Sequence, residues 1–287
     1  MSRVDVRKTH KLFIGGAFPR SESGRTYEVT DSKEQFLANM ALASRKDARD
    51  AVLAARSAVA KWSAATAYNR GQVLYRIAEV MEGRREQFIS EVSDSEGVSS
   101  RKAGAHVDAA IDRWVWYAGW ADKYAQVIGN TNPVAGPFFN FSVPDPTGVV
   151  AAVAPQDASV LGLVSVVAPI IVTGNAVIVM PSSSRPIPAI TLAECLATSD
   201  VPAGVVNILT GAPAEVMPWL AEHADVNALD LTGIVDEGVA ADLERSAAGT
   251  VKRVRGAAPH ADWHATPSLS RMRAFVEVKT VWHPMGV

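Results

Sequence analysis

The sequence predicts an α/β fold built on a parallel, doubly wound sheet. Three observations carry this. From Val149 onward, short apolar strands ("VVAAVA", "NAVIVM", "GVVNILT", "VNALDL", "TVKRV") alternate with helical stretches that begin near Ala158, Pro186, Ala214 and Asp236. Apolar β-branched strands alternating with helices belong in a parallel sheet covered on both faces. The earlier part of the chain instead places apolar residues at helical spacing. A Pro- and Phe-rich segment and an alternating stretch near the C-terminus fit neither pattern. With right-handed crossovers the whole reads as a Rossmann-like parallel sheet with N-terminal helices, plus a small β element made of a hairpin and a C-terminal strand.

In chain order, Lys11 to Val29 reads as a strand pair with a Gly15-Gly16 turn and a Ser-Glu-Ser-Gly loop. Ala48, Ala51, Val52, Ala55, Val59 and Trp62 then share one helical face, and Ser44 with Asp47 forms a capping box before it. A second helix carries Val73, Leu74, Ile77, Val80, Met81, Phe88 and Ile89 on one side. A third, from about Ser100 to Gln126, has Val107, Ile111, Trp114, Val115 and Ala118 as its stripe. Five tryptophans (Trp62, Trp114, Trp116, Trp120, Trp219) fall in helices, where large rings fill core or interface. "TNPVAGPFFNFSVPDPTG" reads as an outer β-hairpin, because Pro is confined to edges and turns. After the βα region, "RGAAPHADWHATPSLSR" has no period. "AFVEVKTVWH" alternates as a strand for which the chain offers no sequential neighbour.

A net charge of −2 excludes a broad electrostatic footprint for nucleic acid or an anionic membrane. The one cysteine, Cys195, excludes an internal disulfide and a Cys-based zinc site. Its helical context among Leu192, Ala193 and Leu196 makes it a small buried apolar residue rather than a nucleophile. The N-terminus lacks a secretory apolar core, and no apolar run reaches the ~20 residues of a spanning helix. A cytoplasmic location is expected.

A nucleotide would ordinarily be announced by G-x-G-x-x-G after the first sheet strand or by a P-loop, and neither occurs. "TGIVDEG" places Gly233 and Gly238 at a helix start. They could admit a pyrophosphate to the helix dipole, or serve the turn alone. His260 and His264 are four apart, but two histidines leave zinc short of ligands. The serines of "MPSSS" lack a G-x-S-x-G elbow. Asp94/Glu96 and Asp236/Glu237 read as solvated charges.

The order of segments resembles the aldehyde dehydrogenase superfamily. It runs from "KLFIGGAFPRSESGRTYEV", "AVLAARSAVAKW" and "RGQVLYRIAEVMEGRREQF" through "PTGVVAAVAP", "GNAVIVMPSS", "VPAGVVNILTG", "LDLTGIVDEG" and "SAAGTVKRV" to "FVEVKTV". The resemblance covers nearly all of the chain. It implies a helical part of the nucleotide-binding domain over 1–130 and an oligomerisation hairpin over 131–146. It further implies a Rossmann-like βα domain over 147–255, a linker over 256–273 in place of the catalytic domain, and an oligomerisation strand over 274–287. It also implies what has changed. The family's Cys nucleophile and its general-base Glu would follow "TVKRV", where only "RGAAPHA" and a short segment stand. Pro155, Gln156 and Asp157 replace Pro-Trp-Asn, so the oxyanion-donating amide becomes Asp157, which when ionised accepts only. The ribose-binding Lys and Glu align with Met180 and Ser183, and the Ser-Thr pair beside the pyrophosphate aligns with Ile234 and Val235.

The expectation is a shortened aldehyde dehydrogenase-like pseudoenzyme with no catalytic residue. Pro155, Ser182, Gly211, Gly233 and Gly238 are what remains of a cofactor cradle. No cofactor is expected, with NAD(P) left as a weak ligand. The resemblance further implies a homo- or hetero-oligomer, with a full-length aldehyde dehydrogenase as partner and neither nucleic acid nor membrane. The competing reading is an oxidoreductase component that binds NAD(P) weakly and takes its nucleophile from a partner.

Overall fold

The computed structural model describes residues 7–259 and 261–286. The chain opens with β1 (Thr9–His10), β2 (Thr26–Thr30) and β3 (Phe36–Ala41), in the order β1-β3-β2. Helices α1 (Arg45–Ala64), α2 (Ala67–Glu82), α3 (Arg85–Glu96), α4 (Ser100–Trp120) and α5 (Tyr124–Ile128) follow. The Ser44/Asp47 capping box forms at the start of α1. The sequence pattern ran α2 into α3 as one helix. The chain breaks at Gly83–Arg84, while both helices keep their apolar residues toward the same core, so the stripe carries no sign of the break. The third helix likewise stops at Trp120, and α5 resumes separately.

Strands β4 (Asn130–Asn132) and β5 (Phe138–Pro146) form the hairpin. Then come β6 (Val149–Val153), α6 (Leu161–Val172), β7 (Ala176–Met180), α7 (Ile187–Ala197), β8 (Val206–Ile208), α8 (Pro213–Glu222), β9 (Ala228–Asp230), α9 (Glu237–Ala248) and β10 (Arg253–Arg255). The five strands pair in parallel in the order β10-β9-β6-β7-β8. Alternate residues of β6 enter two cores. Val150 and Ala152 join α2 to α4, α6 and α7, whereas Val149, Ala151 and Val153 join α1, α8 and α9. Helix α6 is buried along its whole length, as a helix whose one polar side chain is Ser165 must be.

The chain closes with α10 (Ser270–Arg273) and β11 (Val276–Pro284). The C-terminal strand does have a partner in its own chain. β11 pairs antiparallel with β5 from Val276↔Pro146 to Pro284↔Phe138, giving a three-stranded sheet β11-β5-β4. The partner lies far upstream, so no local signal announced it.

Candidate functional site

In an open parallel sheet, ligands bind beyond the carboxyl ends of the strands, where the strand order reverses. Here that is the crevice between the turns after β6 and β9, with the turn after β7 beside it. The turn after β6 is braced from within. Gln156 Nε2 donates to the Ala154 carbonyl at 2.8 Å, and Gln156 Oε1 accepts from Ser183 N at 3.0 Å and Ser183 Oγ at 3.2 Å. Ser182 Oγ donates to the Gln156 carbonyl at 2.8 Å. The Ser182 and Ser183 hydroxyls of the second turn are thus spent on the first. Pro155 is buried against the start of α6, where a Cβ on Gly162 would meet its Cγ at 2.8 Å. The Asp157 side chain is exposed, so it occupies no dry pocket, and its carbonyl accepts from Arg185 Nη1 at 2.6 Å.

The other expected positions fall into place as packing or solvent groups. Met180 is fully buried in the core of α1, α8 and α9. Ile234 is buried in the same core and Val235 is exposed. At Gly233 a Cβ would lie 1.9 Å from the Ala154 carbonyl oxygen, so this glycine lets the β9 turn touch the β6 turn. Gly238 is exposed in the first turn of α9. Gly211 sits after β8 at φ +130°, close to Leu42. The α9 N-terminus already has its cap: Asp236 accepts from Val239 N at 2.9 Å, and Glu237 adds a second acidic residue in the first turn. Two carboxylates at that end of the dipole repel a pyrophosphate. No cation stands at Met180, and the Ser182 and Ser183 hydroxyls are engaged. The residues of this crevice thus offer a dinucleotide no side-chain cation at Met180 and two acidic groups at the α9 N-terminus.

Glu96, expected from sequence to be a solvated charge, is instead enclosed and fully engaged: Oε1 accepts from Ser159 N at 2.8 Å and Ser159 Oγ at 2.6 Å, and Oε2 meets His106 Nδ1 at 2.9 Å, because α3 packs its end against the turn before α6. Other groups give the region its shape as well. The His106 ring lies 5.0 Å from that of His264. His260 lies outside the described residues. The segment after β10 lies down on the sheet. Ala258 N donates to the Thr232 carbonyl, and Trp263 and Met272 enter the α4/α6 core. Arg113 of α4 donates to Ser165 Oγ at 2.9 Å and to the Trp263 and Ala265 carbonyls at 2.7 and 3.1 Å. Arg271 reaches Asp230 Oδ2 at 3.2 Å and Thr232 Oγ1 at 3.2 Å, with its guanidinium 5.0 Å from the Trp263 ring. Burial pulls both guanidiniums below their ordinary range; Asp230 opposes this at Arg271 and Arg255 reinforces it. Only Trp263 had a sequence signal, as a large ring in an otherwise small-residue loop.

A five-stranded parallel sheet in this order, with helices on both faces, defines a nucleotide-binding type of α/β domain. A model of the aldehyde dehydrogenase family matches residues 18–256, and the chain belongs to that family. Cytosolic 10-formyltetrahydrofolate dehydrogenase of Pongo abelii is 32% identical over 246 residues, 83% of this chain and 27% of the relative. Cytosolic aldehyde dehydrogenase 1 of Elephantulus edwardii is 31% identical over 261 residues, 88% of this chain and 51% of the relative. The NAD+ complex of aldehyde dehydrogenase from Bacillus cereus superposes with a TM-score of 0.81 at 26% identity, over 86% of this chain and 50% of that one. The chain thus spans between about a quarter and about half of the length of these relatives. No described helix is long and apolar enough to cross a membrane.

Proposed function

We propose that the chain is a non-catalytic member of the aldehyde dehydrogenase family, cytoplasmic, acting as a structural or regulatory subunit. One observation carries this reading. The stretch between β10 and β11, Gly256 to Phe275, holds no cysteine and covers the sheet with Trp263, Arg271 and Met272. A thiolate attacking an aldehyde must sit over the crevice, and the sequence's single thiol, Cys195, is buried in α7. Burial lifts that thiol to about 11, against the thiolate form. NAD(P) is at most a weak ligand, for the reasons given by Met180, Asp236 and Glu237.

The same reading assigns the β11-β5-β4 sheet to assembly with a second copy or with a full-length aldehyde dehydrogenase. Phe138, Phe139, Val143, Val278 and Trp282 are exposed on it, and so is Met285 beside it. Exposed apolar patches of this kind mark contact surfaces, and the free edge of β11 can accept a further strand.

The test pairs two measurements on the homogeneous protein. NADH titration by calorimetry is expected to give no saturation below millimolar concentrations, and aldehyde with NAD(P) no turnover. Native mass spectrometry is expected to give a dimer or larger, or a complex with an added active family member. Turnover by the protein alone ends the reading. Micromolar NADH binding without turnover favours the partner-supplied-nucleophile alternative.

A further inference from the structure

The hairpin that follows β1 sets two cations side by side. Its turn, Gly15-Gly16, has both glycines at positive φ, +61° and +77°. Ile14 and Ala17 exchange two backbone hydrogen bonds of 3.0 Å across it, and Leu12 N donates to the Pro19 carbonyl at 3.0 Å. The next pair outward is Lys11 with Arg20. Like charges placed opposite one another destabilise a strand pair. The acids of the same stretch do not answer them. Glu22 pairs with Lys46 at 2.9 Å and Glu28 with Arg7 at 3.7 Å. Arg7, Lys8, Lys11, Arg20 and Arg25 face only those two acids between positions 7 and 28, in a chain whose net charge is −2. Lys11 and Arg20 have no acidic partner among the described residues.

Lys11, Arg20 and Arg25 line one cavity of about 310 Å³, and no acidic side chain lines it. Its floor is a face of the β1-β3-β2 sheet. The registers Thr9↔Asn39 and Thr26↔Ala41 put Thr9, Ala41 and Thr26 on that face, where the small Ala41 leaves room. The loop from Arg20 to Arg25 forms the wall and is held in place. Gly24 N donates to the Ser21 carbonyl at 2.9 Å, and Leu42 N to the Arg25 carbonyl at 2.9 Å. Buried Asp47 accepts from Ser21 Oγ at 2.7 Å and Glu22 N at 3.0 Å, which ties the loop to the start of α1. Arg25 Nη2 reaches Glu215 Oε2 at 3.1 Å, but both side chains are about half exposed, so that pair is screened and weak.

We propose that this cavity binds a small molecule carrying two or more adjacent phosphate charges, with inorganic pyrophosphate as the type ligand, held by Lys11, Arg20 and Arg25. A concave site lined by one sign of charge concentrates ions of the other. Guanidinium forks match phosphate geometry, and charge-assisted bonds to it are the strong kind. A cavity of this size takes a small molecule rather than a lone ion. It shares no residue with the turns after β6, β7 and β9.

Calorimetry on the full chain tests this by titrating inorganic pyrophosphate, and in a second arm inorganic phosphate, with sodium chloride holding the ionic strength constant. Pyrophosphate is expected to bind saturably at one per chain, and phosphate at least tenfold more weakly. Lys11→Gln/Arg20→Gln is expected to weaken pyrophosphate binding at least tenfold. It is also expected to keep or raise the melting temperature in chloride, because two opposed like charges have gone. Lys61→Gln/Arg101→Gln removes the same charge from exposed positions on α1 and α4 and is expected to bind within twofold of wild type. Should the first double variant fail to fold, Arg20→Gln alone is expected to weaken binding several-fold. A wild-type chain that shows no saturable pyrophosphate binding overturns the proposal. So does an equal loss in the two double variants, which marks a diffuse field, or phosphate bound as tightly as pyrophosphate.

Discussion

Asp230→Asn tests whether the 256–273 segment is part of the folded domain or a loose connection. Asp230 is fully buried. Its Oδ1 accepts from Thr232 N at 3.0 Å and from the Thr232 hydroxyl, and its Oδ2 from Arg271 Nη1 at 3.2 Å. The amide keeps the shape but removes the charge, leaving Arg271, itself only 9% exposed, beside Arg113 and Arg255 without a counter-charge. Removing one partner of a buried pair costs about 3–5 kcal/mol. Against a total stability of about 5–15 kcal/mol, that is a large share. At roughly 2–4 °C per kcal/mol for a chain of this size, the melting temperature is expected to fall by roughly 6–20 °C. Urea unfolding followed by tryptophan fluorescence gives the free energy, and limited proteolysis reports whether the segment has lifted. The double variant Asp230→Asn/Arg271→Met is expected to recover much of the loss, since no unpaired charge remains from that pair. A loss below about 1 kcal/mol, with the segment still protected from protease, would refute the assignment of this pair as the anchor.

Other expectations follow from single positions. Gly233→Ala places a Cβ 1.9 Å from the Ala154 carbonyl oxygen and is expected to destabilise the chain by more than about 3 kcal/mol. In Gly238→Ala the new Cβ meets only the Asp236 carboxylate at 3.1 Å; because that oxygen is held as the α9 cap, the gain in helix propensity is offset, and urea unfolding is expected to change by less than about 1 kcal/mol. Burial holds the His10 imidazole at about 4 against its ordinary 6.5. The unfolded chain therefore takes up its proton first, and stability is lost as pH falls from 6.5 toward 4. The loss amounts to about 3 kcal/mol at the foot of that window; urea midpoints across it should flatten in His10→Phe. Cys195, buried and with its thiol raised to about 11, is expected to resist a disulfide reagent at pH 8 until the chain unfolds.

The parallel sheet was legible because its strands are apolar on both faces: every residue of Val149–Val153 and Ala176–Met180 is buried. β3 was not. "FLANMA" carries Ala, Asn and Met where strands favour branched and aromatic residues, and its pairing with β2 supplies what propensity lacks. The alternation of β11 was visible, but pairing with β5 is non-local and leaves no mark on sequence spacing. At the candidate site, residue identities gave the expected positions Pro155, Asp157, Met180, Ser182 and Ser183. They could not tell that Gln156 knits two turns together, because that contact exists only once β6 and β7 lie side by side. Arg113 and Arg271 carried no sequence signal; their burial follows from a segment with no periodicity folding onto them.

The change at the crevice and the docked segment are best understood together. Helices α8 and α9 both cover the α1 side of the sheet, so the opposite side of β9 is left to whatever follows β10. Ala228 faces the α4/α6 core there and Leu229 the other, which by strand alternation turns Asp230 to the α4/α6 side as well. An exposed sheet face of this kind must be buried by something. In this chain Trp263, Met272 and Phe275 bury it, with Arg271 answering the one carboxylate. Trp263, Met272 and Phe275 are therefore part of this domain's core rather than a loose connection, and on the function proposed above they occupy the place where a nucleophile would be needed.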